Sequence, residues 1–249
     1  MSRPMVIAHR GASGRAPETT LEAYRLAIET GCDGVEADVQ MLGDGTLVAF
    51  HDPDVGRTTD GAGTLAEHTL ESIKRLDAGS WFNRAFPEKA RREYAGLRVP
   101  TLQELLDLLR ESPQELFLEI KSPELHPPEF ESLLLDALRV NRFEGRTRMM
   151  SFSAASLAKV KSLRPGMRTS LLAHRAAPSL ADAALEAGAD ELGVLHELAA
   201  PELVDAAHRR GLVFSVWTVD EPEDVRRMLA LGVDCITSNH PERVLAALA

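Results

Sequence analysis

Glu36 and Asp38 lie two residues apart in Val35-Glu36-Ala37-Asp38-Val39, a run that otherwise has the look of a buried strand. Side chains two apart in a strand point to one side, so the two acids share a face. Burying like charges together is costly unless something positive sits between them, and a hard divalent cation is the simplest candidate. Asp44-Gly45 is a hairpin-turn signal, after which Thr46 to Phe50 returns as a strand ending on His51-Asp52. That return delivers an imidazole beside the acids. A third acid, Glu119, stands two residues before Lys121 in Leu116-Phe117-Leu118-Glu119-Ile120-Lys121. Glu36, Asp38 and Glu119 offer oxygen ligands only, which suit Mg²⁺ or Ca²⁺ rather than zinc. His9 and His51 are the candidates for proton transfer, because imidazole titrates near neutrality. Arg10 and Lys121 could hold an anionic oxygen, and Lys121 could equally neutralise Glu119.

The elements that must position these groups follow a simple rhythm. Met5 to Ala8 reads as a short strand ending in His9-Arg10-Gly11. Thr19-Thr20-Leu21-Glu22 fits a capping box with Thr19 as cap and Glu22 reaching back. Leu21, Tyr24, Ala27 and Ile28 share a helical face, and Gly31 stops that helix. Residues 53–100 lack a long period; they include a short helical piece near 70–76 and the aromatics Trp81, Phe82, Phe86 and Tyr94. A segment this long is no simple connection, and it reads as an insertion folded over one end of the domain. Trp81 and Phe82 are expected to pack there on the rim. From Thr101 the alternation is strict, with strands near 116–121, 148–152, 168–173, 191–195, 212–219 and 234–237, each followed by a helix.

Eight strand–helix units in about 250 residues have the size of a closed (β/α)8 barrel. An open doubly wound sheet is the alternative, but the first strand is not followed by Gly-x-Gly-x-x-Gly. In such a barrel, active sites lie at the C-terminal strand ends. His9-Arg10, Glu36 and Asp38, Glu119 and Lys121, Ser215-Val216-Trp217 and Thr237-Ser238-Asn239 all fall at or near such ends. Trp217 could pack on a substrate carbon chain. Among the other histidines, His196 is the one whose position at the rim makes a role conceivable.

The chain has 249 residues and a formal net charge of -10. That charge disfavours nucleic acid and anionic membrane as partners. No apolar run is long enough to span a bilayer, and the first residues lack the form of a signal peptide. Cys32 and Cys235 have no metal-site spacing; they read as small core residues in a reducing compartment, which makes a cytoplasmic location the expectation.

The segments His9-Arg10-Gly11, Pro17-Glu18-Thr19-Thr20, Glu36-Ala37-Asp38, His51-Asp52, Glu119-Ile120-Lys121, Trp217-Thr218-Val219 and Thr237-Ser238-Asn239-His240-Pro241, in this order, resemble the glycerophosphodiester phosphodiesterases over nearly the whole length. The resemblance implies one TIM-barrel domain over residues 1–249, with an insertion after the second strand at about 53–100. It implies a divalent cation on Glu36, Asp38 and Glu119, and His9 and His51 as general acid and base. It also implies phosphate contacts from Arg10 and Lys121, with Glu18 and Asn239 supporting the site from behind.

The implied reaction is hydrolysis of a glycerophosphodiester to sn-glycerol 3-phosphate and an alcohol. A lysophospholipid or phosphoinositol phosphodiesterase, or a non-catalytic barrel holding a phosphorylated ligand, are the rival readings. Three positions depart from the family pattern. Thr19 stands where Asn is usual, Asp220 where Asn is frequent, and Ser238 alters the ending. The last two are expected to tune the substrate pocket.

Overall fold

The computed structural model describes residues 3–177 and 179–249. Strand β1 (Met5–Ala8) leads through a loop into helix α1 (Leu21–Thr30), strand β2 (Gly34–Met41) and the short return strand β3 (Leu47–Ala49). The insertion holds helices α2 (Leu70–Ile73) and α3 (Ser80–Ala85). Then follow α4 (Leu102–Arg110), β4 (Glu115–Ile120), α5 (Phe130–Val140), β5 (Thr147–Ser151), α6 (Ala154–Leu163), β6 (Arg168–Ala173) and α7 (Leu180–Glu186). The chain finishes with β7 (Glu191–Leu195), α8 (Pro201–Arg209), β8 (Val213–Trp217), α9 (Pro222–Leu231), β9 (Cys235–Ser238) and α10 (Pro241–Ala247).

Eight of these strands form a parallel ring in the order β1-β9-β8-β7-β6-β5-β4-β2, closed where Ile7 pairs with Gly34 and Ala8 with Val35. β3 lies outside the ring, antiparallel to β2, with Val39 opposite Ala49. The structure is thus a closed (β/α)8 barrel with an insertion after its second stave.

Strand parity sorts the side chains. Val35, Ala37 and Val39 of β2, and Leu116, Leu118 and Ile120 of β4, join the core between barrel and helices. Phe117 of β4, Met150 of β5, Leu172 of β6 and Cys235 of β9 instead meet Ile7 inside the ring. Glu36 and Asp38 have this inward parity, which is why they are buried at 3% and 1% exposure.

The helices close the outer layer as their sequences require. In α4, Leu102, Leu105, Leu106 and Leu109 are all buried. Thr101 caps that helix by accepting from the Glu104 N–H at 3.1 Å, a bond whose loss costs about 1 kcal/mol. The start of α1 differs from expectation. Thr20 is its cap and accepts from the Ala23 N–H at 3.2 Å. Thr19 has φ 56, and its hydroxyl donates to the Glu18 carbonyl. A residue in that left-handed conformation cannot take the extended backbone of a cap.

At the N-terminal end of the ring, charges replace apolar side chains. The Arg148 guanidinium pairs with Glu191 at 2.7 Å and Glu115 at 3.2 Å, and Arg168 reaches Glu115 at 3.1 Å. This network forms the barrel floor. At the other end the insertion packs on the loop after β1. Phe82 is buried against Trp81 and Tyr94, both edge-on at 5.7 Å, and joins Ala16 and Ala23 in one cluster. Tyr94 Oη donates to the Arg15 carbonyl and Lys89 Nζ to that of Gly14, each at 2.9 Å. Trp81 and Phe82 therefore pack on the rim, as expected. Both cysteines are buried and unpaired.

Candidate active site

The loop after β1 turns sharply at Arg10 (φ 54) and Gly11 (φ 80). A side chain at Gly11 would collide with the backbone of Ala23, 2.6 Å from an added Cβ, so glycine is needed for the loop to lie on α1. The turn aims both ends of Arg10 at the acids. Its backbone N–H donates to Glu36 Oε2 at 2.9 Å. Its guanidinium donates to Glu18 at 2.9 Å and lies 3.1 Å from Asp38. Lys121, from the end of β4, lies 2.7 Å from Glu119 and 3.2 Å from Asp38.

Carboxylate oxygens of Glu36, Asp38 and Glu119 all fall within 4.8 Å of one another. Burial, and then the neighbouring Asp38 charge, raise Glu36 well above the usual carboxylate range and Glu119 to about 7. Burial alone would also raise Asp38, but Arg10 and Lys121 outweigh it and hold that carboxyl well below its ordinary value. The pairing is close in distance yet poorly aligned. Both Asp38 oxygens and Arg10 Nε are buried without a hydrogen-bond partner. Buried oxygens with free lone pairs, beside two further acids, fit a hard cation.

Each histidine is held by its Nδ1. His9 Nδ1 lies 2.7 Å from Asn239 Oδ1. The Asn239 amide is oriented from behind, because its Nδ2 donates to Asp220 Oδ2 at 2.6 Å. Its oxygen must then face His9, and His9 Nδ1 carries the proton. His9 Nε2 points toward Glu36, 4.0 Å from Oε2. Burial, with Arg10 nearby, lowers the His9 imidazole to about 4. His51 Nδ1 lies 2.5 Å from Asp52 Oδ1, and burial also lowers the His51 imidazole. Arg57, from the insertion, donates to Asp52 and to Glu18, so it ties the two histidine loops together. Glu18 thus lies against Arg10 and Arg57, and Asn239 against His9.

The acids and imidazoles open onto one cavity of about 190 Å³ within the barrel mouth. Its walls include His9, Arg10, Glu36, His51, Glu119, Lys121 and Trp217. Asp38 is not in this wall but lies 3.1 Å from Arg10 and 3.2 Å from Lys121, which are. Trp217 packs edge-on against Phe152, 5.6 Å between centroids. His196 is not in this wall; it accepts from Arg227 at 3.1 Å beside α9, because its residue turns outward after β7. Asp220 and Ser238 do not line the cavity either. The Asp220 carboxylate accepts from the Ser238 hydroxyl at 2.9 Å and from the Asn239 N–H at 2.8 Å. The two departures from the family pattern thus meet each other behind Asn239.

Sequence reasoning missed Gln40 and Arg57. The buried Gln40 amide donates to the carbonyls of Phe50, His51 and Asp52 at 3.1, 2.9 and 2.8 Å, and so fixes the His51 loop. The parity that joins Glu36 to Asp38 continues to Gln40 and could have exposed it. Arg57 sits in an aperiodic segment and carried no comparable signal.

A closed barrel with clustered acids and two imidazoles at the C-terminal ends of its strands has the layout of a barrel enzyme. The chain matches the Glycerophosphoryl diester phosphodiesterase family over residues 9–243. It is 39% identical to a glycerophosphodiester phosphodiesterase of Bacillus subtilis, over 96% of this chain and 85% of that protein. It is also 39% identical to one from Caldanaerobacter subterraneus, over 98% and 97%. A phosphodiesterase of Oleispira antarctica, solved with the product sn-glycerol-3-phosphate, superposes with TM-score 0.87 at 28% identity, over 98% of this chain and 96% of that one. The chain belongs to the glycerophosphoryl diester phosphodiesterase family.

Proposed function

We infer that the protein hydrolyses glycerophosphodiesters to sn-glycerol 3-phosphate and an alcohol, with a divalent cation, Mg²⁺ or Ca²⁺, held by Glu36, Asp38 and Glu119. The observation that carries this reading is the gathering of three acid oxygens within 4.8 Å at a cavity that both His9 and His51 line. When bound, the cation draws off negative charge that builds on the phosphate oxygens. Arg10 and Lys121 also face the cavity and hold the phosphate. Trp217 packs against substrate carbon.

His9 and His51 divide the proton transfers. One takes the proton of the attacking group, water or the glycerol 2-hydroxyl, and the other gives a proton to the leaving alcohol oxygen. Both have Nδ1 engaged by oxygen, from Asn239 and Asp52, which leaves each Nε2 for the reaction. Glu18, bonded to Arg10 and Arg57, keeps the Arg10 guanidinium in place. Residues 1–249 act as one catalytic domain, with 53–100 as its roof. The unpaired cysteines suit a reducing cytoplasm. No helix among the described residues is long and apolar enough to cross a membrane, which suits a small diffusible substrate.

The test is release of sn-glycerol 3-phosphate from glycerophosphocholine with and without metal. EDTA should abolish it, and Mg²⁺ or Ca²⁺ should restore it. Undiminished turnover in chelator overturns the cation assignment.

A further inference from the structure

Asp220 follows β8, Asn239 follows β9 and His9 follows β1, and these three strands are successive in the ring. Their ends bring a carboxylate, an amide and an imidazole into one line. His9 Nδ1 lies 2.7 Å from Asn239 Oδ1, and Asn239 Nδ2 lies 2.6 Å from Asp220 Oδ2. Asp220 is itself pinned, since its other oxygen accepts from the Asn239 N–H at 2.8 Å and the Ser238 hydroxyl at 2.9 Å. Ser238 Oγ in turn accepts from the His240 N–H at 3.0 Å.

The middle of this line is ambiguous by itself. A carboxamide has a carbonyl on one side and an NH2 on the other, and half a turn exchanges them. A neutral imidazole is equally two-faced, with a proton on one nitrogen and a lone pair on the other. Other neighbours leave both questions open. Ser13 Oγ lies 2.7 Å from Asn239 Oδ1 and 2.7 Å from the His9 carbonyl, and a hydroxyl turns its single proton to either. Across the ring, Glu36 Oε2 lies 4.0 Å from Nε2, so oxygen faces that nitrogen as well. Asp220 is different, because a carboxylate only accepts. It makes Asn239 turn its NH2 away from the ring and its oxygen toward it.

We propose that Asp220 is a positioning residue: acting through Asn239, it fixes the His9 tautomer that keeps Nε2 bare toward the cavity. The step from tautomer to turnover rests on the hydrolytic reading above; the tautomer itself does not. His51 meets the Asp52 carboxylate directly, whereas His9 gains the same orientation with a neutral amide between ring and charge. Exchanging the two side chains preserves the logic. A carboxylate at 239 accepts from Nδ1–H, and an amide at 220 donates to it while its carbonyl accepts from the N–H at 239 and the Ser238 hydroxyl.

The test reads the His9 ring nitrogens by NMR in the Mg²⁺-loaded protein at about pH 8, where an ordinary imidazole is neutral. His9→Gln identifies the signals. Wild type should show Nδ1–H and a bare Nε2. Asp220→Asn should move the ring toward Nε2–H and lower kcat for choline release from glycerophosphocholine about 10–100-fold, with KM within about threefold. The exchanged pair, Asp220→Asn with Asn239→Asp, should recover Nδ1–H and most of the kcat. An Nε2–H ring in wild type, or an unchanged Nδ1–H ring in Asp220→Asn, overturns the proposal. If Asp220→Asn does not fold, the exchanged pair decides: Nδ1–H there supports the proposal and Nε2–H overturns it. A tautomer that moves in Asp220→Asn while turnover does not keeps the positioning role and removes His9 from the hydrolytic reading instead.

Discussion

The two sides of the barrel interior are built from different chemistry. β1, β2 and β4 contribute His9 and Arg10, Glu36 and Asp38, and Glu119 and Lys121. β5 to β8 contribute Met150, Phe152, Leu172, Gly193, Ser215 and Trp217 to the facing surface. Above the Arg148–Glu191 floor, one side crowds charge; the other gives shape, carbon and the Ser215 hydroxyl. Both use the same alternation of side chains, so the difference lies wholly in which residues occupy the inward positions. The charged side is also braced from behind. Arg57 of the insertion bonds Glu18 and Asp52, and Gln40 holds the His51 loop. Among the described residues the insertion gives the facing side no such bond; it packs on the loop after β1. Charge that must stay aligned needs support that a shaped wall does not.

Substitutions at the two histidines proposed for proton transfer should separate the two sides most sharply. His9→Ala and His51→Ala are each expected to lower kcat by about 10²–10⁴-fold, with melting temperatures within a few degrees of wild type. Phe152→Ala on the facing side should act mainly through KM. A comparable kcat loss from Phe152→Ala in steady-state assays breaks the division. Next in size is Gln40→Leu, which strands three carbonyls. It should cost about 1–3 kcal/mol in denaturant unfolding and lower kcat, because the His51 loop loses its anchor. Unfolding of Gln40→Leu at the wild-type midpoint would mean that the loop holds itself.

Thr19→Asn probes the strained turn beside Glu18. A β-branched residue at φ 56 is unfavourable, and Asn tolerates that region better. The variant should gain about 0.5–1 kcal/mol, or about 1–4 °C in melting temperature. An unchanged or lower Tm removes the strain argument.

The smallest effect concerns the roof. Asp77 accepts from the N–H groups of Gly79, Ser80 and Gly96 and from the Ser80 hydroxyl. Burial opposes its ionisation, but these bonds outweigh burial and hold its pKa down from 3.8 to about 2. A depressed carboxylate gives stability that is complete above its unfolded value and fades as pH falls through the folded one. The contribution should therefore be intact above about pH 4 and shrink toward pH 2. Hydrogen exchange of the Gly79, Ser80 and Gly96 amides should rise over that window in wild type but not in Asp77→Asn. The same slope in both proteins would exclude Asp77 as its source.

Parity made much of this legible from sequence. Alternation placed Glu36 with Asp38 and Glu119 with Lys121, and the Asp44-Gly45 turn placed His51 near them. Helix-stopping glycines at 31, 188, 211 and 232 divided the chain into units. What escaped were features that depend on a second partner. Thr19 and Thr20 offer the same cap in two registers, and only the position of Arg10, whose carbonyl accepts from the Thr19 N–H at 3.1 Å, decides between them. Gly193 reads as a weak strand residue until Leu172 and Ser215 are seen against it. Helix α3 is six residues long, too short for a period to declare itself. Asp220 and Ser238 each look like drift in isolation; together they are a bracket.

The bond from His9 to Asn239 spans 230 residues of sequence. On the ribosome, His9 emerges 230 residues ahead of the group that orients its ring. Until β9 is translated and slots between β1 and β8, an unfinished polypeptide carries every acid and both imidazoles without a working arrangement of them. On the proposed reading, a premature stop before Asn239, or clipping by a protease there, should silence the enzyme while sparing Glu36, Asp38, Glu119, His9 and His51.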